Sequence, residues 1–135
     1  MSMVEWNENY SVKVNELDEH HKKLVGFIND LSDKMKLGKR KDVIGTIVSD
    51  LVEYTKFHFS AEEKYMKDFN YPEYDKHKAE HVYFVKKVEE YKDDLEKTNN
   101  LLTIKVLSFL VDWLLNHISN TDKKYSKTFN DNGLK

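Results

Sequence analysis

Three features of this 135-residue sequence predict an all-α fold: an antiparallel up-down-up-down four-helix bundle preceded by an N-terminal arm. Four separate segments carry apolar residues in alternating steps of three and four, the spacing that lines one face of a helix. Helix breakers are scarce, with four Gly and one Pro in the chain, while helix-forming Lys, Glu and Leu are plentiful. The gaps between segments are short, so consecutive helices must reverse direction.

Residues 1–17 are too few for a domain and read as an ordered arm, packed across the bundle by Trp6, Tyr10 and Val12. The first helix, about 18–37, begins after "NELD" with Asp18 as N-cap. His21, Leu24, Ile28, Leu31 and Met35 form its stripe, and Gly38 supplies a stop. A second helix, about 41–69, carries Ile44, Ile47, Leu51, Tyr54, His58, Glu62, Tyr65 and Phe69, and ends at Asn70 before Pro72. The third, about 72–97, opens with Pro72 in its first turn and places Tyr74, His77, His81, Phe84, Val88, Tyr91 and Leu95 on one face, until "KTNN" breaks it. Val106, Leu110, Trp113 and His117 define the fourth, about 101–120. The tail after Asp122 extends that helix, with "NDNGLK" expected to fray. No linker or low-complexity tract divides the chain, so residues 1–135 are read as a single domain.

Charge and composition narrow the function. Twenty-two basic and 24 acidic residues give a formal charge of −2, and no basic field invites nucleic acid. With no cysteine, disulfides, thiolate metal sites and a thiol nucleophile are excluded. No basic stretch followed by an apolar run opens the chain, and no apolar run approaches the roughly 20 residues that cross a bilayer. A cytoplasmic protein without a membrane partner is the expectation, either a monomer or a weak homo-oligomer.

The histidines carry the chemistry. Five of the six, His21, His58, His77, His81 and His117, lie in register with the apolar stripes, and Glu62 joins them. Burying such groups without strong partners costs on the order of 1–3 kcal/mol each, and more for a carboxylate. A domain with about 5–15 kcal/mol of net stability cannot absorb that. Metal ligation removes the difficulty by using the imidazole lone pairs and neutralising the carboxylate. His77 and His81 are an i, i+4 pair, able to share one ion, and His58 with Glu62 repeats the spacing. Antiparallel connectivity then brings the early part of helices one and three to the same end as the late part of helices two and four. The ligands converge. One step is irregular: His117 to Asp122 is five residues, a rotation of about 140° on a regular helix. A π-bulge or loosened turn is therefore predicted between them.

Five imidazoles and two carboxylates exceed the four ligands of a tetrahedral zinc. They suit two neighbouring first-row ions with carboxylate bridges, and imidazole-rich donor sets favour iron, copper, nickel or zinc over magnesium or calcium. Glu-x-x-His, the motif of carboxylate-rich di-iron bundles, does not occur. An imidazole-rich centre is less suited to highly oxidised iron, which favours reversible ligand binding over oxygenation.

"LDEHHKKL", "HFSAEEKYM", "HKAEH" and "WLLNHISNTD" resemble, in order and spacing, the signature of the hemerythrins, especially the single-domain bacterial ones. The resemblance covers nearly the whole chain. Carried over residue by residue, it implies that His77, His81 and His117 bind one iron and His21 and His58 the other. Glu62 and Asp122 would bridge the two iron ions beside an oxo or hydroxo group. Dioxygen would bind end-on at the open position of the second iron and be held as a hydroperoxide. No organic cofactor and no catalytic residue is implied.

One position departs from the family, which usually has Gln where this chain has His20. Adjacent helical residues are about 100° apart, so only one of His20 and His21 can face the metals. The stripe selects His21 and leaves His20 as a partly solvated surface residue. Leu24, Phe59, Trp113 and Leu114 are expected to form a dry dioxygen pocket that slows autoxidation. Tyr125, three residues past Asp122, is a candidate hydrogen-bond donor near the bridge that the sequence alone does not decide, and Glu63 points off the stripe toward solvent. The resulting expectation is a non-enzymatic carrier, store or scavenger of dioxygen. The alternative is a sensor of oxygen, nitric oxide or redox state built on the same centre.

Overall fold

Four long helices pack in a ring: α1 (Asn15–Lys36), α2 (Lys41–Asp68), α3 (Tyr74–Lys97) and α4 (Asn100–Asn116), with α4 returning against α1. The computed structural model describes residues 4–38, 41–97 and 100–135, and among them there is no strand. The chain is an antiparallel four-helix bundle, as its periodicity predicts. The break expected at "KTNN" falls on Thr98 and Asn99, outside the described residues, as does the side chain of Leu95.

The arm explains why α1 begins earlier than expected. Val14 stands at its N-cap without a side-chain cap, and Asp18 lies inside the first turn. The Asp18 carboxylate accepts the Val12 N–H at 2.8 Å and the Ser11 hydroxyl at 2.6 Å. The acid expected to cap the helix instead pins the arm, because Val12 and Val14 are fully buried and their backbone needs partners. Farther out, Asn29 closes a two-way pair with the backbone of Val4, both bonds 2.9 Å. Trp6 and Tyr10 pack partly buried on the core between these anchors.

Helix ends follow local chemistry. Asn70 takes a left-handed φ of 54°, and the Tyr71 N–H reaches back to the Met66 carbonyl at 2.8 Å. That bond satisfies a carbonyl the helix leaves free, and Asn tolerates the conformation better than most residues. Pro72 then sits in the turn before α3 and not in its first helical turn. After α4 the chain winds through a π turn (His117–Thr121), a 3-10 turn (Asp122–Tyr125) and a short helix, α5 (Ser126–Asp131).

The expectation of a fraying tail is corrected. Gly133, at φ 89°, lets the Leu134 N–H bond the Phe129 carbonyl at 2.9 Å, and Leu134 packs on the neighbouring apolar cluster. Ser126 and Asn130 donate to the Val12 and Lys13 carbonyls at 2.6 and 3.0 Å. Arm and tail are therefore stitched together at one end of the bundle.

The apolar interior comes in two parts. A long cluster contains Leu24, Ile28, Leu51, Phe59, Phe84, Leu110, Leu114 and Ile118. A smaller one, at the arm-and-tail end, contains Val12, Val14, Leu17, Met66, Tyr71, Tyr125 and Phe129. Full burial of such side chains contributes about 1.5–3 kcal/mol each. Along α1 the order is Leu17, His21, Leu24; along α2 it is Phe59, Glu62, Met66. A polar layer thus lies between the two clusters.

Candidate metal centre

That layer contains His21, His58, Glu62, His77, His81, His117 and Asp122, none more than 3% exposed. α1 contributes His21, α2 His58 and Glu62, α3 His77 and His81, and the π turn His117. The π turn does specific work. The Asp122 N–H bonds the carbonyl of His117, five residues back, so one extra residue fits into the turn and both side chains stay directed inward. The irregular step predicted between them is present.

The donors form two overlapping groups. Glu62, His77, His81, His117 and Asp122 each offer one atom, all within 4.8 Å of one another. His21, His58, Glu62 and Asp122 form the second group on the same criterion. Both carboxylates belong to both groups, which is the arrangement of two adjacent cation positions with shared acids.

Close contacts within the layer support this reading. Nε2 of His77 is 2.8 Å and Nε2 of His117 is 2.9 Å from Asp122 Oδ1, while His21 Nε2 is 3.1 Å from Oδ2. Glu62 Oε1 lies 3.3 Å from His58 Nε2 and 3.2 Å from His81 Nε2. These separations suit hydrogen bonds, yet His77 Nε2, Glu62 Oε1 and both Asp122 oxygens make none among the described residues. The atoms aim at common points and not along each other's bonds. Buried acceptors without donors are costly, and a cation between them satisfies all at once. Neutral imidazole and carboxylate donors suit a first-row divalent ion. The residues present fit the metals that the sequence implies.

The electrostatics of the layer's own side chains say the same. Burial opposes charge on His117, but Asp122, with help from Glu80, holds its pKa up to about 10. His21 is raised to about 9, against the same burial, by Asp122 and Glu62. Burial lowers His58 despite Glu62 beside it. Burial disfavours the Glu62 and Asp122 carboxylates too, yet the surrounding imidazoles keep both well below the usual carboxylate range. The layer is a nest of anions that recruits protons when nothing stronger is bound.

Around it lies a set of supporting contacts that stripe periodicity did not identify. Glu63, expected in solvent, is only 21% exposed and accepts from His81 Nδ1 at 2.9 Å. Glu80 accepts from His117 Nδ1 at 3.1 Å and from the Thr121 hydroxyl at 2.9 Å. Hydrogen bonding to His117 lowers its pKa, although partial burial opposes this. Tyr125 donates its hydroxyl to Glu62 Oε2. His20 is corrected as well: it is 8% exposed, and its Nδ1 lies 2.9 Å from Nδ1 of His58. Each of His20, Glu63 and Glu80 directly precedes or follows a layer residue in sequence, and that adjacency is the signal that could have found them.

The expected pocket residues all lie against the long cluster. Leu24, Phe59 and Leu114 are buried, and Trp113 is partly so. Phe59 stacks on His81 with centroids 3.7 Å apart, and Trp113 on His117 at 4.3 Å. The two aromatic rings therefore cover the three-histidine side of the layer.

A family model described as hemerythrin HHE cation binding domain matches residues 12–129. Bacteriohemerythrin of Clostridium acetobutylicum is 31% identical over 127 residues, covering 91% of this chain and 98% of that protein. Myohemerythrin of Theromyzon tessulatum is 32% identical over 121 residues, covering 90% and 89%. A crystal structure of wild-type hemerythrin superposes with a TM-score of 0.85 at 27% identity, covering 94% of this chain and 98% of that one.

Proposed function

The chain belongs to the hemerythrin family, and on that premise we propose that it is a non-haem di-iron protein that binds dioxygen reversibly. His77, His81 and His117 are assigned to one iron, His21 and His58 to the other, and Glu62 and Asp122 to both. The observation that carries this assignment is the pair of donor groups sharing both carboxylates. These residues would hold two iron ions with an oxo or hydroxo bridge. When bound in the ferrous state, this pair supplies the electrons that dioxygen takes up and recovers them on release.

The protein's own residues set the conditions. Glu62 and Asp122, both fully buried, would offset the cationic charge of the ions. The Tyr125 hydroxyl holds Glu62 by Oε2 and leaves Oε1 directed at the layer. Glu63 and Glu80 fix His81 and His117 through Nδ1, so that Nε2 faces inward in both rings. Leu24, Phe59, Trp113 and Leu114 are assigned to the apolar wall of the dioxygen pocket, which would exclude water and retard autoxidation, with Phe59 and Trp113 lying against His81 and His117. No helix among the described residues is long and apolar enough to cross a membrane. We place the protein in the cytoplasm as a carrier, store or scavenger and not as an enzyme, acting as a monomer or weak homo-oligomer.

Metal analysis joined to visible spectroscopy tests the reading. The protein is expected to hold two irons per chain. On meeting air, the reduced form should develop a charge-transfer band that disappears when oxygen is removed. Oxidation without a coloured, reversible adduct would rule out carriage.

A further inference from the structure

An imidazole that faces inward through Nε2 needs a partner for Nδ1, and the two sides of the layer solve this differently. On the three-histidine side, His81 and His117 donate to the carboxylates of Glu63 and Glu80. Each side also has one Nδ1 without a hydrogen-bond partner among the described residues, that of His77 on the first and of His21 on the second; the difference lies at His58, whose Nδ1 meets another imidazole, His20, at 2.9 Å.

Two ring nitrogens at that distance share one proton. With the proton on His58 Nδ1, the Nε2 lone pair of His58 is free to face the layer. There it lies 3.0 Å from His21 Nε2 and 3.3 Å from Glu62 Oε1. With the proton on His20 Nδ1, His58 carries its own proton on Nε2, directed at Glu62, and the ligand position is blocked. A carboxylate can only accept and fixes one arrangement, whereas His20 can serve either by exchanging a proton between its two nitrogens. The ring is held for this role. Tyr54 and His58 meet it nearly at right angles, with centroids at 6.0 and 5.0 Å, and Phe57 packs on it at 5.3 Å.

We propose that His20 is the positioning residue of His58, accepting a hydrogen bond from its Nδ1–H so that Nε2 is presented to the metal shared with His21. The proposal rests on the two-metal reading above. It assigns residue 20 to one metal position only, since the other is served by Glu63 and Glu80.

The test uses the full chain, stripped of metal and reloaded with cobalt(II), whose visible absorption follows each equivalent in competition with a chelator. Loss of an outer partner typically costs 10–100-fold in metal affinity. His20→Leu is expected to lose about that much for the second equivalent, with the first unchanged. His20→Gln, whose amide oxygen accepts the same hydrogen bond, should restore it. In the zinc-loaded wild-type protein, nitrogen-15 imidazole spectra should show His58 protonated on Nδ1 and His20 on Nε2. Two equivalents held equally well by wild type and His20→Leu would overturn the proposal alone. So would an equal fall in the Leu and Gln variants, or His20 found protonated on Nδ1 in the zinc form. Uptake of fewer than two equivalents by the wild type would overturn the two-metal reading and the proposal with it.

Discussion

Glu62 is the residue on which most depends. It belongs to both donor groups, receives the Tyr125 hydroxyl and is fully buried. Glu62→Gln keeps the shape and removes the charge and one acceptor oxygen. Metal analysis of this variant is expected to find one ion or none per chain in place of two, and the oxygen-dependent colour to be absent. A variant that still holds two ions would remove Glu62 from its shared role. Six of the seven inward residues were legible in the sequence because each sits on an apolar stripe where a polar group is out of place; Asp122, off that register, came in through the family resemblance. His20, Glu63 and Glu80 were not legible, for a geometric reason. A stripe describes one face, and residues about 100° to its side are read as solvent-facing. In a ring of four helices those flanks are seams, and the seam between α1 and α2 closes over His20.

Among the elements, the junction of arm and first helix gives the sharpest stability test. Asp18 accepts two hydrogen bonds from the arm, from Val12 and Ser11, and bonds to a charged acceptor contribute about 1.5–3 kcal/mol. Asp18→Ala should lower the free energy of unfolding by about that amount in urea titration, with metal content unchanged, because Asp18 lies outside both donor groups. The sequence placed an acid here correctly but gave it the wrong duty. An Asp before an apolar run looks like a cap, and only the folded arm shows that buried backbone at Val12 competes for it. The π turn was legible because a five-residue step between two inward groups cannot fit a regular helix. The closed tail was not. Its few polar residues look solvated until Leu134 is seen against its apolar neighbours.

For the molecule as a whole, the polar layer ties stability to pH. In the metal-free protein His21 and His117 bind protons with pKa about 9 and about 10, against an ordinary 6.5. Their contribution is fully present below pH 6.5 and is lost as pH rises through 9 and 10. Glu62 and Asp122 are held below their ordinary values, so their contribution is present at neutral pH and is lost only in strong acid. Thermal unfolding of the stripped protein should therefore show a midpoint that falls from weakly acidic toward alkaline pH. The loaded protein should not follow it, because metal occupies the nitrogens that protons would otherwise take. Parallel curves for the two forms would mean that these histidines do not bind metal.

The division of the interior into a long apolar cluster and a short one has a mechanical meaning. A pair of cations held between α1, α2, α3 and the turns after α4 would be a rivet through the laminate, clamping a thin end-plate of arm and tail onto a thicker body. Pulling the rivet leaves the body its own grease and deprives the end-plate of most of its grip. Loss of the metals and loosening of residues 12–14 and of the tail would then be a single event, felt first at the end farthest from the bulk of the oil.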